Sequence, residues 1–93
     1  MSFTGPSSAT TAAVAAATAS TTLFSAATGV FGRTVYNASS AVCYLTYGTV
    51  SSSTAYSLQI PARTYFEFPV PTYAGAVTAA WASANGTAYT SQW

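Results

Sequence analysis

Ninety-three residues make one domain, and Arg33, Arg63 and Glu67 are all it holds of Lys, Arg, Asp, Glu and His, for a net charge of +1. Two arginines cannot neutralise the several phosphates that give useful nucleic-acid affinity, so nucleic acid is excluded as a partner. One carboxylate, no histidine and the lone Cys43 leave no acid–base pair, no conventional metal site and no intrachain disulfide.

Much of the 51% hydrophobic fraction is alanine, and the large apolar side chains are chiefly five Phe, seven Tyr and two Trp. A domain surfaced with Thr, Ser, Ala and Tyr carries little charge to keep copies apart. It suits lasting contact with other protein, including copies of itself. No strongly apolar run reaches 18 residues, so no membrane span is expected. The start of the chain has no basic region and does not read as a signal peptide.

Residues 1–20 read as a low-complexity arm, with a bend expected at Gly5-Pro6. Ala, Thr and Ser dominate the arm. Alanine favours helix, but the repeated Thr and Ser oppose it, and an extended arm or outer strand is the reading. Ordering such a segment costs about 1–2 kcal/mol per residue of backbone entropy, so something outside the domain core is expected to hold it. Residues 21–93 form the folded domain.

Thr21–Ala26 supplies a first short strand through Leu23 and Phe24. Gly29 and Gly32 mark a turn, since without a further glycine, a following helix or a lysine they make no phosphate loop. Arg33–Asn37 is a second strand, and Val42–Tyr47, apolar on both faces, is a third and central one. Cys43 within it reads as a buried core thiol. After the polar loop 49–54, Tyr56, Leu58 and Ile60 alternate with polar residues, and Phe66, Phe68 and Val70 do the same. Pro61–Thr64 between them predicts an antiparallel hairpin with Leu58, Ile60, Phe66 and Phe68 in the core. Pro69 and Pro71 make the next segment a rigid crossing. Ala76–Trp81 is a sixth strand, Asn85-Gly86 predicts a second hairpin turn, and Thr87–Trp93 is the last strand. Seven short strands predict an all-β fold: a small antiparallel β-sandwich or related barrel with an extended N-terminal arm.

No residue stands out as catalytic, cofactor-binding or metal-ligating, and no cofactor is expected; the reading is that of a non-enzyme. Arg33 has three readings: an exposed side chain, an anchor for loop carbonyls, or a partner contact. Glu67 faces solvent or pairs with Arg63. Tyr36, Tyr44, Tyr47, Tyr56, Tyr65, Tyr73, Tyr89, Trp81 and Trp93 are too many for so small a core, so some rings must lie at the surface, where they favour interfaces or stack on sugars. The sequons Asn37-Ala38-Ser39 and Asn85-Gly86-Thr87 read as turn chemistry.

The stretch Arg33 to Gly48 resembles a pattern in small virion proteins of tailed bacteriophages: Arg opens a strand ending in Asn, a Ser-containing turn follows, and a second strand ends in Gly. Ser51–Phe68 resembles the polar loop, strand, Pro-Ala turn and aromatic-Glu strand of the same proteins. Tyr73–Gly86 resembles their closing Tyr-x-Gly-x-Val-Thr strand and Trp-Ala-Ser-Ala-Asn-Gly turn. The turn Pro61-Ala62-Arg63 departs from them, since many carry a glycine there. The resemblance spans residues 21–93 and implies a capsid decoration or cement protein on the virion surface, bound to the major capsid protein or another virion structural protein, as a homo-oligomer. A tail, neck or fibre module is the alternative address, and a carbohydrate-binding adhesive domain the alternative class. It transfers no catalytic residues.

Overall fold

Among residues 7–93, which the computed structural model describes, eight short strands carry the regular structure. They are β1 (Thr10–Ala15), β2 (Thr21–Phe24), β3 (Arg33–Asn37), β4 (Cys43–Tyr47), β5 (Leu58–Ile60), β6 (Thr64–Glu67), β7 (Val77–Trp81) and β8 (Thr87–Gln92). All pairings are antiparallel, in two four-stranded sheets ordered β1-β8-β3-β6 and β2-β7-β4-β5. The sheets stay open as a sandwich and do not close into a barrel. The seven strands expected within residues 21–93 are β2–β8, and β1 adds an outer strand to the first sheet. The Gly5-Pro6 bend lies outside the described residues.

Alternation decides which side chains meet between the sheets. From the first sheet come Val35, Ala88 and Phe66; from the second come Leu23, Cys43, Leu45, Ile60, Val77, Ala79 and Trp81. Phe68, just past β6, packs edge-on to Phe24 and Tyr47, with ring centroids 5.6 Å away in each case. β4 is interior to its sheet, as its apolar composition requires, and Cys43 is fully buried. Burial pushes its thiol from 9.0 up to about 12.

The expected hairpin over Tyr56–Phe68 does not form. β5 pairs with β4 and β6 pairs with β3, so Pro61–Arg63 carries the chain from one sheet to the other. Ile60 and Phe68 are buried, and Leu58 and Phe66 pack against the core, as the alternation requires. Val70 does not follow that alternation and is exposed. A period of two assigns a face, and two inward faces can meet side by side or across a gap of about 10 Å. Arg63 turns this corner with φ of 58°, the left-handed conformation that glycine adopts without strain. Asn85-Gly86 corrects in the same way. It links β7 in the second sheet to β8 in the first, with Gly86 at φ 89° pressed against Ser39.

Two buried polar side chains on β3 hold the loops, one at each end of the sandwich. Arg33 donates through Nε to Gln92 Oε1 at 2.7 Å, through Nη1 to the carbonyls of Tyr73 and Gly75 at 2.8 and 2.6 Å, and through Nη2 to the carbonyl of Ser25 at 2.9 Å. Its guanidinium also lies 4.7 Å from the centre of the Phe24 ring, a cation–π distance. Arg33 is therefore the loop anchor among its three readings. At the other end Asn37 Nδ2 donates to the carbonyls of Ala41, Ile60 and Pro61, while its Oδ1 accepts from Ser39 and from the Trp81 indole.

Candidate functional site

The two sheets differ in what covers their outer faces. On the second sheet, Thr78 and Ala80 point away from the core yet are buried, because the loop after β4 folds over them. Ser51 Oγ donates to the Tyr44 carbonyl and accepts from Thr46 Oγ1, Thr78 Oγ1 donates to the Gly48 carbonyl, and the Tyr56 ring lies 4.9 Å from that of Tyr44. The chain itself covers the middle of that face, while Thr22, Gln59 and the Tyr56 ring stay exposed at its margins.

The outer face of the first sheet is open. Arg33, Val35 and Asn37 point inward from β3, so Thr34 and Tyr36 point out. The same parity sends Thr87, Tyr89 and Ser91 out of β8, and Tyr65 and Glu67 out of β6. Register then brings the rings into line: Tyr36 stands opposite Tyr65 on one side and opposite Tyr89 on the other, and Tyr89 stands opposite Ala13 of β1. A row Ala13–Tyr89–Tyr36–Tyr65 crosses all four strands, with a second row Thr11–Ser91–Thr34–Glu67 beside it. The three tyrosines are 52%, 39% and 56% exposed in that order.

Glu67 is the one charge on this face. The Tyr65 phenol is pushed up, first by lost hydration and then by the neighbouring Glu67 carboxylate, which disfavours a phenolate. Glu67 thus acts on Tyr65, two residues away on the same face, while Arg63 is exposed at the corner. The face presents hydroxyls and aromatic edges, suited to hydrogen bonding and flat packing, with no nucleophile–base pair.

The remaining residues weighed from the sequence fall elsewhere. Tyr47 and Tyr73 pack together at the Arg33 end, their rings tilted and their centroids 5.1 Å apart, and Trp81 is buried. Gly32 lies under Trp93, whose ring a Cβ at that position would meet. The Asn37 sequon is buried with its amide fully engaged; Asn85 Oδ1 accepts from Ser40 and its Nδ2 donates to Ser83. Five of seven tyrosines are exposed, as the small core demands. Alternation alone does not show the row of three, because lining up the rings also takes the strand order. The parity of Tyr36 against Val35, Tyr65 against Phe66 and Tyr89 against Ala88 already put each ring outside.

Among the described residues no group of three or more His, Cys, Asp or Glu could hold a metal ion, and no helix is long and apolar enough to cross a membrane. No protein-family model, curated protein or solved structure matches the chain.

Proposed function

We propose that this chain is a non-enzymatic adhesive module of a virus particle, a cement or decoration protein that lays the open face of its first sheet on the capsid exterior. The observation that carries the proposal is the exposed Tyr89–Tyr36–Tyr65 row on a sheet face whose single charge is Glu67. Tyrosine offers a large, rigid contact area with a polar tip at low entropic cost, which suits a protein–protein interface. The resemblance of Arg33–Gly48, Ser51–Phe68 and Tyr73–Gly86 to phage virion proteins supports a virion role. The second sheet's outer face is covered over its middle by the loop after β4, which leaves the first sheet's face the more open side. Repeated copies on a shell make weak contacts effective, because each later contact is intramolecular.

The test uses undecorated shells of the phage that encodes the chain. Full-length protein and a Y36S/Y65S/Y89S variant are mixed with shells at about 50 and 500 mM salt, and bound copies are counted by gel densitometry. The wild type binds at both salt concentrations, since so few charges are present for ions to screen, and the variant loses most of its occupancy. Equal occupancy by the variant removes the tyrosine face from the mechanism. Binding to tail, neck or fibre preparations, or to a glycan array, in place of shells would move the same surface to the alternative roles.

A further inference from the structure

The edge of the first sheet carries an inference that does not rest on shell binding. Three of the four sheet edges are protected in ways that discourage strand addition. β5 has only three residues before Pro61, β2 has a register shift between Thr22 and Phe24, and β6 carries Glu67 and runs toward Pro69. β1 has none of these devices. Its six residues are uncharged, pair with β8 without interruption, and are exposed except for the half-buried Val14.

The register says which backbone groups on β1 are free. Ala16 N–H donates to the Gly86 carbonyl at 3.0 Å, in step with the pairing of Ala15 to Thr87. In an antiparallel ladder, alternate residues bond to a given neighbour. Thr10, Ala12 and Val14 therefore bond to β8, and Thr11, Ala13 and Ala15 turn their N–H and C=O groups outward. The β8–β3 side agrees, since Ala38 N–H donates to the Thr87 carbonyl and so residues 87, 89 and 91 face β3. Among the described residues nothing pairs with the outward groups of β1.

We infer that β1 pairs antiparallel with β1 of a second copy about a two-fold axis through Ala13. The three outward residues are centred on Ala13. Only an axis there engages all of them, pairing Ala13 with Ala13, Thr11 with Ala15 and Ala15 with Thr11. Each such pair exchanges two hydrogen bonds, six in all. An axis through Ala12 engages Thr11 and Ala13 alone. Side chains raise no obstacle: Thr11, Ala13 and Ala15 meet on one face, Ala12 and Val14 on the other, and no charge meets its like. A two-fold perpendicular to the sheet keeps both outer faces on one side. Two copies then form one eight-stranded sheet, with Tyr65–Tyr36–Tyr89–Ala13 continuing into Ala13–Tyr89–Tyr36–Tyr65 of the second copy.

The test combines sedimentation with amide hydrogen exchange on the full chain. Wild-type protein forms a concentration-dependent dimer, and its Thr11, Ala13 and Ala15 amides, fast-exchanging when dilute, become protected as dimer forms. The Ala12 and Val14 amides are protected at every concentration by β8. Ala13→Pro removes an outward N–H without touching the β8 ladder, and weakens dimerisation by at least about tenfold with an unchanged far-UV spectrum. A wild type that stays monomeric up to about 1 mM, the weak end of specific association, overturns the inference. So does a dimer in which Thr11, Ala13 and Ala15 still exchange freely, a readout that holds even if the proline variant misfolds.

Discussion

Trp81 donates its indole N–H to Asn37 Oδ1 at 3.1 Å, and this bond joins the two sheets, since Trp81 lies on β7 and Asn37 on β3. The same amide satisfies carbonyls from three further residues, Ala41, Ile60 and Pro61. Asn37→Ala strands the indole donor and those carbonyls in a buried site, where each unsatisfied group costs about 1–3 kcal/mol. A loss of about 3–5 kcal/mol is expected in urea unfolding. Trp81→Phe, which removes one donor and some volume, costs less. An Asn37→Ala midpoint within experimental error of the wild type would remove the amide from the account of stability.

Arg33 differs from an ordinary ion-paired arginine, because carbonyl dipoles and the Phe24 ring face its charge. Burial holds the guanidinium below its usual range, yet an arginine stays protonated. Arg33→Lys replaces a planar fork by a single point of donation and cannot span Ser25, Tyr73, Gly75 and Gln92 together. About 2–4 kcal/mol of destabilisation is expected. The wild-type melting temperature should barely move between low and high salt, because no side-chain anion faces this charge. A strong salt dependence would contradict that reading.

Three glycines separate space from backbone conformation. At Gly86 a Cβ would lie 2.6 Å from Ser39 Cα, with φ at 89°, so Gly86→Ala must displace backbone. At Gly29, with φ at 68°, nothing lies within 4 Å, and alanine costs only the left-handed strain of about 1–2 kcal/mol. At Gly32 the clash is with the Trp93 ring, so alanine there shifts tryptophan fluorescence more than stability. The expected order of destabilisation is Gly86 first, with the others well behind. Equal losses at Gly86 and Gly29 would show that Ser39 yields.

Cys43 gives a pH signature. Its thiol titrates at about 12 in the fold, against 9.0 without burial. The unfolded chain then loses this proton first as pH rises, so stability is fully present below about pH 9 and falls between 9 and 12, by up to about 1.4 kcal/mol per pH unit. Tyr47, whose phenol burial also pushes up, acts in the same direction. Cys43→Ala should flatten part of the alkaline decline in denaturant midpoint. A thiol reagent should label the wild type only as it unfolds, and fast labelling of the native protein would refute the burial.

Strands and faces were legible in the sequence because they depend on local alternation. Cys43–Tyr47 and Val77–Trp81 lie within the spans read from composition, and Leu58, Ile60, Phe66 and Phe68 turn toward the core as their spacing requires. Partners were not legible. Pro61–Arg63 is short enough for a hairpin and long enough to cross between sheets, and the Asn37 amide that donates to the Ile60 and Pro61 carbonyls comes from 23 and 24 positions away. Arg33 hid its role for the same reason: its acceptors at Tyr73 and Gln92 lie 40 and 59 positions along the chain. The tyrosine row needed both parity and strand order, and only parity could be read.

Strand order also governs how the protein can be made. A ribosome releases a chain from its N-terminus, and β8, the last strand, stands between β1 and β3. Until Thr87–Gln92 emerges, β1 has no neighbour and the first sheet is only β3 and β6; in the second sheet, β2 likewise waits for β7. β4 and β5 alone are consecutive strands that pair. Closing such distant pairings slows folding, into the millisecond-to-second range typical of sandwiches. A nascent chain halted before residue 87 therefore holds its first strand open, and the tyrosine row is complete only when β8 slides into the gap between β1 and β3.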